Sequence, residues 1–274
     1  MFRTPPNIVP LVLALLLAVG TLVPLVWMLL TAFKSSSEIA QIPPTVLPKS
    51  WHPENFRDAL EAAPFGLYLG NTIIYAVSVT TGLVLLSSMA AYGFARLDFP
   101  GRRVLFVVYL ATMMVPFQLT LIPVYILLSR IGWVDTYQGI IVPQLFGAFG
   151  VFLLRQFFLG IPRELEEAAM IDGAGRWRIY WSIMLPLAKP AVITLAVFTF
   201  IGQWNGLLWP LLISSSDRTR PIAAGLLAFS SVIGTDWRLM MAAAAMTAVP
   251  ITCIYIVAQR WIVQGVASSG FGGR

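Results

Sequence analysis

Six stretches of this chain carry no Asp, Glu, Lys or Arg: residues 4–33, 62–95, 104–129, 136–154, 190–216 and 239–259. A helix that crosses the hydrocarbon core of a bilayer needs about 20 apolar residues at a rise of about 1.5 Å each. All six are long enough, although the fourth is marginal and is extended past Arg155 to Phe158. The pattern therefore predicts an all-α integral membrane protein, a single membrane domain over residues 1–274. Its six transmembrane helices are expected at about 8–33, 67–95, 104–129, 137–158, 190–213 and 239–260. A seventh uncharged stretch, 221–235, is too short to cross and is expected to form an interfacial or surface helix. The first apolar run, Ile8 to Phe33, far exceeds the roughly 7–15 apolar residues of a signal peptide and is expected to remain as a helix.

Composition agrees with this pattern. Apolar residues make up 58% of the chain and charged residues 11%, against roughly 25% charged in soluble domains. Six spans put both termini on the same side as the 96–103 and 155–189 loops. That side holds eleven Lys and Arg and five acidic residues, whereas the other holds seven of each. The excess of Lys and Arg marks the cytoplasmic side, so both termini are expected there. The net charge of +6 then follows from membrane topology, and its scatter over short loops argues against nucleic-acid binding. Cys253 lies within an apolar run and reads as a small buried hydrophobe.

No site of chemistry is visible. The phosphate-cradling G-x-x-x-x-G-K-[ST] loop is absent, and the lone His52 sits in the Pro-rich 34–61 loop, where it reads as a surface residue. The chain is thus not itself an ATPase, nor an enzyme, and no cofactor or metal is expected on it. None of the six spans holds an ionisable Asp, Glu or His, which disfavours an ion-coupled carrier. Small residues fill 82–95 and recur at Ala242-Ala243-Ala244-Ala245, where they let membrane helices pack closely.

The long 160–189 loop is the most informative segment. Ile161-Pro162 opens it, and Glu164, Glu166 and Glu167 then crowd the positive end of a short helix. Asp172-Gly173 should stop that helix in a left-handed turn. A second helix is expected to run to Leu185, with Trp177, Tyr180, Trp181 and Met184 as one apolar stripe at the headgroup boundary. The loop is then either a solvated connector or a knob that docks a soluble partner.

Here the chain resembles a known family. Glu167-Ala168-Ala169, Gly173, Ile183 and Leu185-Pro186 match the E-A-A-x3-G-x9-I-x-L-P signature of permeases of ATP-binding-cassette importers. Trp204-Asn205, Trp209-Pro210 and Gln264-Gly265-Val266 resemble the second permease of maltose-type carbohydrate-uptake systems. The Gly270-Phe271-Gly272-Gly273-Arg274 tail departs from that family's usual ending. The resemblance implies the type I importer permease fold, with a cytoplasmic coupling helix between spans four and five. It also implies a bacterial inner-membrane complex with a second permease, two ATPase subunits carrying ATP and Mg, and an extracytoplasmic sugar-binding protein. Glu166, Glu167, Ala168, Ala169, Asp172 and Gly173 become candidate ATPase-coupling residues.

Candidate substrate contacts sit at mid-depth. Gln118 follows Pro116-Phe117 in the third span, and Gln203, Trp204 and Asn205 are central in the fifth, with Tyr75 and Trp209 as weaker candidates. Broken helices at mid-membrane tend to line a pathway, and amides beside aromatic rings suit sugars. The same amides could instead bond helix to helix. Two alternatives stand beside a sugar importer: a permease for another solute such as glycerol 3-phosphate, and a channel or scaffold without an ATPase.

Overall fold

Backbone polar groups cannot be left open in hydrocarbon, so a chain this apolar closes them inside helices. The computed structural model describes residues 8–231 and 234–270. Its main helices are α1 (Ile8–Ala32), α2 (Phe65–Arg96), α3 (Arg102–Ala111), α4 (Phe117–Arg130) and α5 (Ala148–Leu159). They are followed by α6 (Glu164–Ile171), α7 (Arg176–Leu187), α8 (Lys189–Trp204), α9 (Leu208–Ile213) and α10 (Trp237–Gly270). Among the described residues, α1, α2 and the 237–256 part of α10 are each long and apolar enough to cross a membrane. Three bent pairs bring the number up to six if each pair is one span.

The bends have local causes. Arg102–Met114 and Phe117–Arg130 meet at 97°. Val115 between them is extended, at φ −83° and ψ 113°, because a residue before proline is pushed out of the helical region. Pro116 then opens α4, so the single third span of the hydrophobic pattern is two helices. The fifth expected span is also discontinuous, since α8 ends at Trp204 and α9 begins at Leu208. The 221–235 stretch is helical only in its first half. It makes short turns over Ile222–Gly225 and Leu226–Phe229, then a ladder pairing Ser230 with Thr235 and Ser231 with Gly234. Serines and a glycine are weak helix formers.

The chain divides into two compact units, one made of residues up to 65 with 226–250 and the other of 66–225 with 251 onward. In the first, only Thr31 and Ala32 of α1 are buried. An apolar helix exposed on every side suits lipid. Asn55 Nδ2 donates to the carbonyls of Ala32 (2.9 Å) and Lys34 (3.0 Å), tying the Glu54–Ala62 helix to the end of α1. His52 lies at the surface of this loop, between Ser50 and Glu54.

In the second unit, the small-residue face of α2 packs inward: Ser87, Ser88, Ala91 and Ala95 are buried. A Cβ on Gly150 of α5 would meet Ser87 Oγ at 2.7 Å, so α5 packs on α2 too closely for a side chain there. Lipid supplies no hydrophobic drive between helices, so close packing and hydrogen bonds hold them. Cys253, expected to be buried, is exposed. Its apolar neighbours from 251 to 256 are likewise half-buried or exposed, so this run is not a core within the chain.

A polar knot joins the 131–136 turn to the 214–222 segment. Asp135, at φ 58°, accepts hydrogen bonds from the amides of Ser215 (3.1 Å) and Ser216 (3.0 Å) and the hydroxyls of Ser216 (2.6 Å) and Thr219 (2.7 Å). Asn71 donates to the carbonyls of Asp217, Arg218 and Arg220 and accepts from Tyr137 Oη at 2.6 Å. Thr72 Oγ1 accepts from the amide of Ile222, and Gly225 is buried against Tyr68. Ser214, Ser215 and Ser216 are thus each fixed by hydrogen bonds.

Burial raises the Asp135 carboxyl, and the Ser216 and Thr219 hydrogen bonds outweigh it, leaving the group below its ordinary 3.8. A depressed folded value contributes stability that is present above about 3.8 and is lost as pH falls through the folded value. The Ser215 and Ser216 amides should therefore stay protected from hydrogen exchange at pH 5 and open only in stronger acid. Asp135→Ala should open them at neutral pH, at a cost of about 1–3 kcal/mol. Asp135→Asn keeps a residue that tolerates left-handed backbone and should fall between. Equal exchange in all three proteins would refute this anchoring.

Candidate coupling loop and pathway residues

The 160–189 segment folds as two short helices around one turn. In α6, Glu164, Glu166 and Glu167 occupy the first turn. Gly173 adopts φ 79°, as the Asp-Gly pair requires, and its amide bonds to Met170 O at 3.0 Å. The amide of Ala174 bonds to Ala169 O at 2.9 Å, completing the paired bonds that close a helix through a left-handed residue. Nothing lies within 4 Å of where a Gly173 Cβ would sit, so glycine is required there by conformation and not by crowding.

The second helix departs from the expected one. It runs through Pro186 to Leu187 and widens into a π-turn over Tyr180–Met184. A proline ring collides with the carbonyl four residues earlier, and a wider turn relieves that collision. The expected stripe splits into two i, i+4 pairs. Ile179, Tyr180 and Met184 are buried, whereas Trp177 and Trp181 point outward.

The candidate coupling residues separate into two sets. Glu167, Ala168, Asp172 and Gly173 are exposed and Ala169 is half-buried. Beside them, Leu165, Met170 and Ile171 expose apolar surface, Ile171 being 87% exposed. These three were not singled out by the sequence reading, because a short helix with apolar residues on several faces shows no clear outer face. A recess of about 200 Å³ lies next to them, lined by Ala169, Asp172, Arg178 and Ser182 among others.

Glu166 instead turns inward. It is 4% exposed and pairs with Arg96 Nε at 2.8 Å. Arg96, at the end of α2, also donates to Phe158 O (2.5 Å) and to Ile161 O. A second tie comes from α7, where Tyr180 Oη and Ser88 Oγ are 2.7 Å apart and buried.

The pathway candidates are likewise split. Tyr75 Oη donates to Gln203 Oε1, and Trp209 Nε1 donates to Ile140 O at 2.9 Å. Phe117, just after the α3–α4 break, packs edge-on against Trp209 at 5.9 Å. Tyr75 and Trp209 lie in one buried cluster with Val79, Leu128, Ile140 and Ile213. Trp204 is buried against Phe200 at 5.6 Å, and its Nε1 has no partner among the described residues. Gln118 and Asn205 are exposed, and Asn205 Nδ2 donates to Ile201 O. Among the described residues no group of three His, Cys, Asp or Glu is placed to hold a metal ion.

Comparison with known proteins bears on this arrangement. Residues 82–268 match the family described as binding-protein-dependent transport system inner membrane component. A diacetylchitobiose uptake system permease protein of Streptomyces coelicolor is 36% identical, over 94% of this chain and 87% of that protein. An sn-glycerol-3-phosphate transport system permease protein of Yersinia enterocolitica is 35% identical, over 93% and 94%. A chain in the crystal structure of a bacterial ABC transporter for the acidic polysaccharide alginate superposes with a TM-score of 0.83 at 24% identity. That match covers 95% of this chain and 99% of the other, and shows the shared fold.

The turn geometry orders three substitutions at position 173. Asn tolerates a left-handed backbone, Ala is strained by about 1–2 kcal/mol, and a β-branched Val is worse. Hydrogen exchange at the amides of residues 173 and 174 should accelerate in the order Asn, Ala, Val. Unchanged exchange in Gly173→Val would mean that the turn does not depend on glycine.

Proposed function

The chain belongs to the family of binding-protein-dependent transport system inner membrane components, and from that membership we propose how it works. It is a multi-pass permease subunit of an ABC importer. In our reading residues 102–130 and 137–159 are each one bent span and α8 with α9 is the fifth, which with α1, α2 and α10 gives six crossings with both termini in the cytoplasm. A second permease completes the pathway. Two ATPase subunits carry ATP and Mg, and this chain binds no cofactor and performs no catalysis. An extracytoplasmic binding protein delivers the solute.

The observation that carries docking is the exposed face of α6. Glu167 stands in the first turn of the helix, with exposed Met170 and Ile171 three and four residues further on and the recess lined by Asp172 nearby. Exposed apolar patches rimmed by charge mark partner surfaces. A rigid helix closed by the Gly173 turn presents them as one body. Glu167, Ala168, Ala169, Asp172 and Gly173 form this face, and a basic groove on the ATPase is its natural complement. Glu167→Lys puts like charge in that groove. The chain should still insert, yet copurify with less ATPase and lose solute-stimulated ATP hydrolysis. Normal retention and stimulation would sink the docking reading. Because ATP is cytoplasmic, capture of the ATPase at this loop also fixes its side of the membrane.

The solute is proposed to be a neutral saccharide. Support comes from spans without charge, from the Trp204 donor, and from relatives whose names include a diacetylchitobiose uptake system. The glycerol-phosphate relatives make a phosphorylated solute the second reading. Each sugar hydroxyl left unpaired costs about 1–3 kcal/mol, and amides or an indole N–H can replace its lost water. Gln203 is engaged with Tyr75, so Gln118, Trp204 and Asn205 are the better-placed contacts. Gln118→Ala, Trp204→Phe and Asn205→Ala should each be scored for uptake and hydrolysis in the purified complex. At least one should lower uptake while ATP hydrolysis still responds to loaded binding protein. Normal uptake by all three would move the solute site to the other permease.

A further inference from the structure

We propose that α2 is the lever that receives the motion of the docking loop, through two polar ties anchored on Arg96 and Ser88. The inference rests on the reading that α6 docks the ATPase. The docking face and the lever are separate sets of residues. Glu167 and its exposed neighbours face outward, while Glu166, one residue away, faces inward to Arg96. Arg96 and Glu166 are 8% and 4% exposed, and their 2.8 Å contact is closed to solvent. The same guanidinium bonds to the carbonyls of Phe158 and Ile161, so α6 cannot shift without pulling on the ends of both α2 and α5. Arg155 returns a bond from α5 to Phe94 O at 3.2 Å.

The second tie lies further along the same helix. Ser88 and Tyr180 join α2 to α7, and the Tyr180 ring also packs on Tyr92 at 5.4 Å. Residues 88 and 96 are about 12 Å apart along a helix axis. Two attachment points that far apart transmit rotation as well as translation, whereas one would act as a hinge. Both helices of the docking loop are therefore clamped to a single long helix, which also carries Tyr75 of the pathway cluster.

Removing one member of a buried ion pair strands a charge, so the informative variant replaces both: Arg96→Met with Glu166→Leu. If that chain does not accumulate in the membrane, Arg96→Lys, which keeps the charge but loses the planar fork, carries the same comparison. The purified complex with its ATPase and binding protein is assayed in liposomes for solute taken up per ATP hydrolysed. The expected result is wild-type ATPase retention with uptake per ATP lowered about fivefold or more, the lower end of coupling between sites. Tyr180→Phe, which removes only the second tie, should lower it less. Unchanged uptake per ATP overturns the proposal. So does a drop that merely follows lost ATPase, since the pair would then serve assembly. Docking itself is judged by Glu167→Lys alone, so failure of the one reading is distinct from failure of the other.

Discussion

One buried guanidinium meets the ends of three helices. The last carbonyls of a helix lack partners within it. At Arg96 the end of α2 supplies the cation, the end of α5 and the turn after it supply the carbonyls of Phe158 and Ile161, and the first turn of α6 supplies a carboxylate. Each sign matches its position, since cations are favoured at C-terminal ends and anions at N-terminal ends. Planar geometry lets a guanidinium serve several acceptors at once. A buried pair of this kind adds little net stability, yet losing one member costs about 3–5 kcal/mol. Its contribution is to fix where α6 stands.

The rest of the second unit follows from that placement. With α6 held by Glu166, the left-handed turn at Gly173 sends the chain back beneath α2, where Tyr180 meets Ser88 and rests between Tyr92 and Trp181. The π-turn lets this helix pass Pro186 and continue to Leu187, after which the chain bends by 76° into α8. Small residues on α2 allow these approaches. Hydrophobic burial cannot choose among helix arrangements in lipid, but specific polar ties can.

Much of this was legible in the sequence. Charge-free intervals located the helices, because removing charge is what hydrocarbon demands. The Asp172-Gly173 pair gave the turn, because only glycine enters that backbone region without strain. The Arg96–Glu166 contact was not legible. Its partners are far apart in the chain, and in sequence each looks like any loop charge. Glu166 even carried the same expectation as Glu167, since neighbouring helical residues are told apart only by what packs against them. The α3–α4 break could be suspected from Pro116, but not its 97° angle, which is set by the extended conformation of Val115. The split of the stripe into buried Tyr180 and Met184 and exposed Trp177 and Trp181 was hidden because four residues within one arc are told apart only by what packs against them.

The same logic sorts the polar groups at mid-membrane. In hydrocarbon a polar side chain finds a partner, and the partner reveals its purpose. Tyr75 and Gln203 satisfy each other across α2 and α8, and Trp209 satisfies Ile140 O, so these groups hold helices in place. Trp204 differs. Its indole is buried on Phe200, but its N–H meets no acceptor among the described residues. An unpaired buried donor is costly unless something arrives to accept it. It stands at the end of α8, where the backbone breaks before α9, and irregular backbone at this depth survives against protein or water. On the proposed function, a hydroxylated solute passing that break would supply the missing acceptor, which favours Trp204 over Gln203 as a candidate contact.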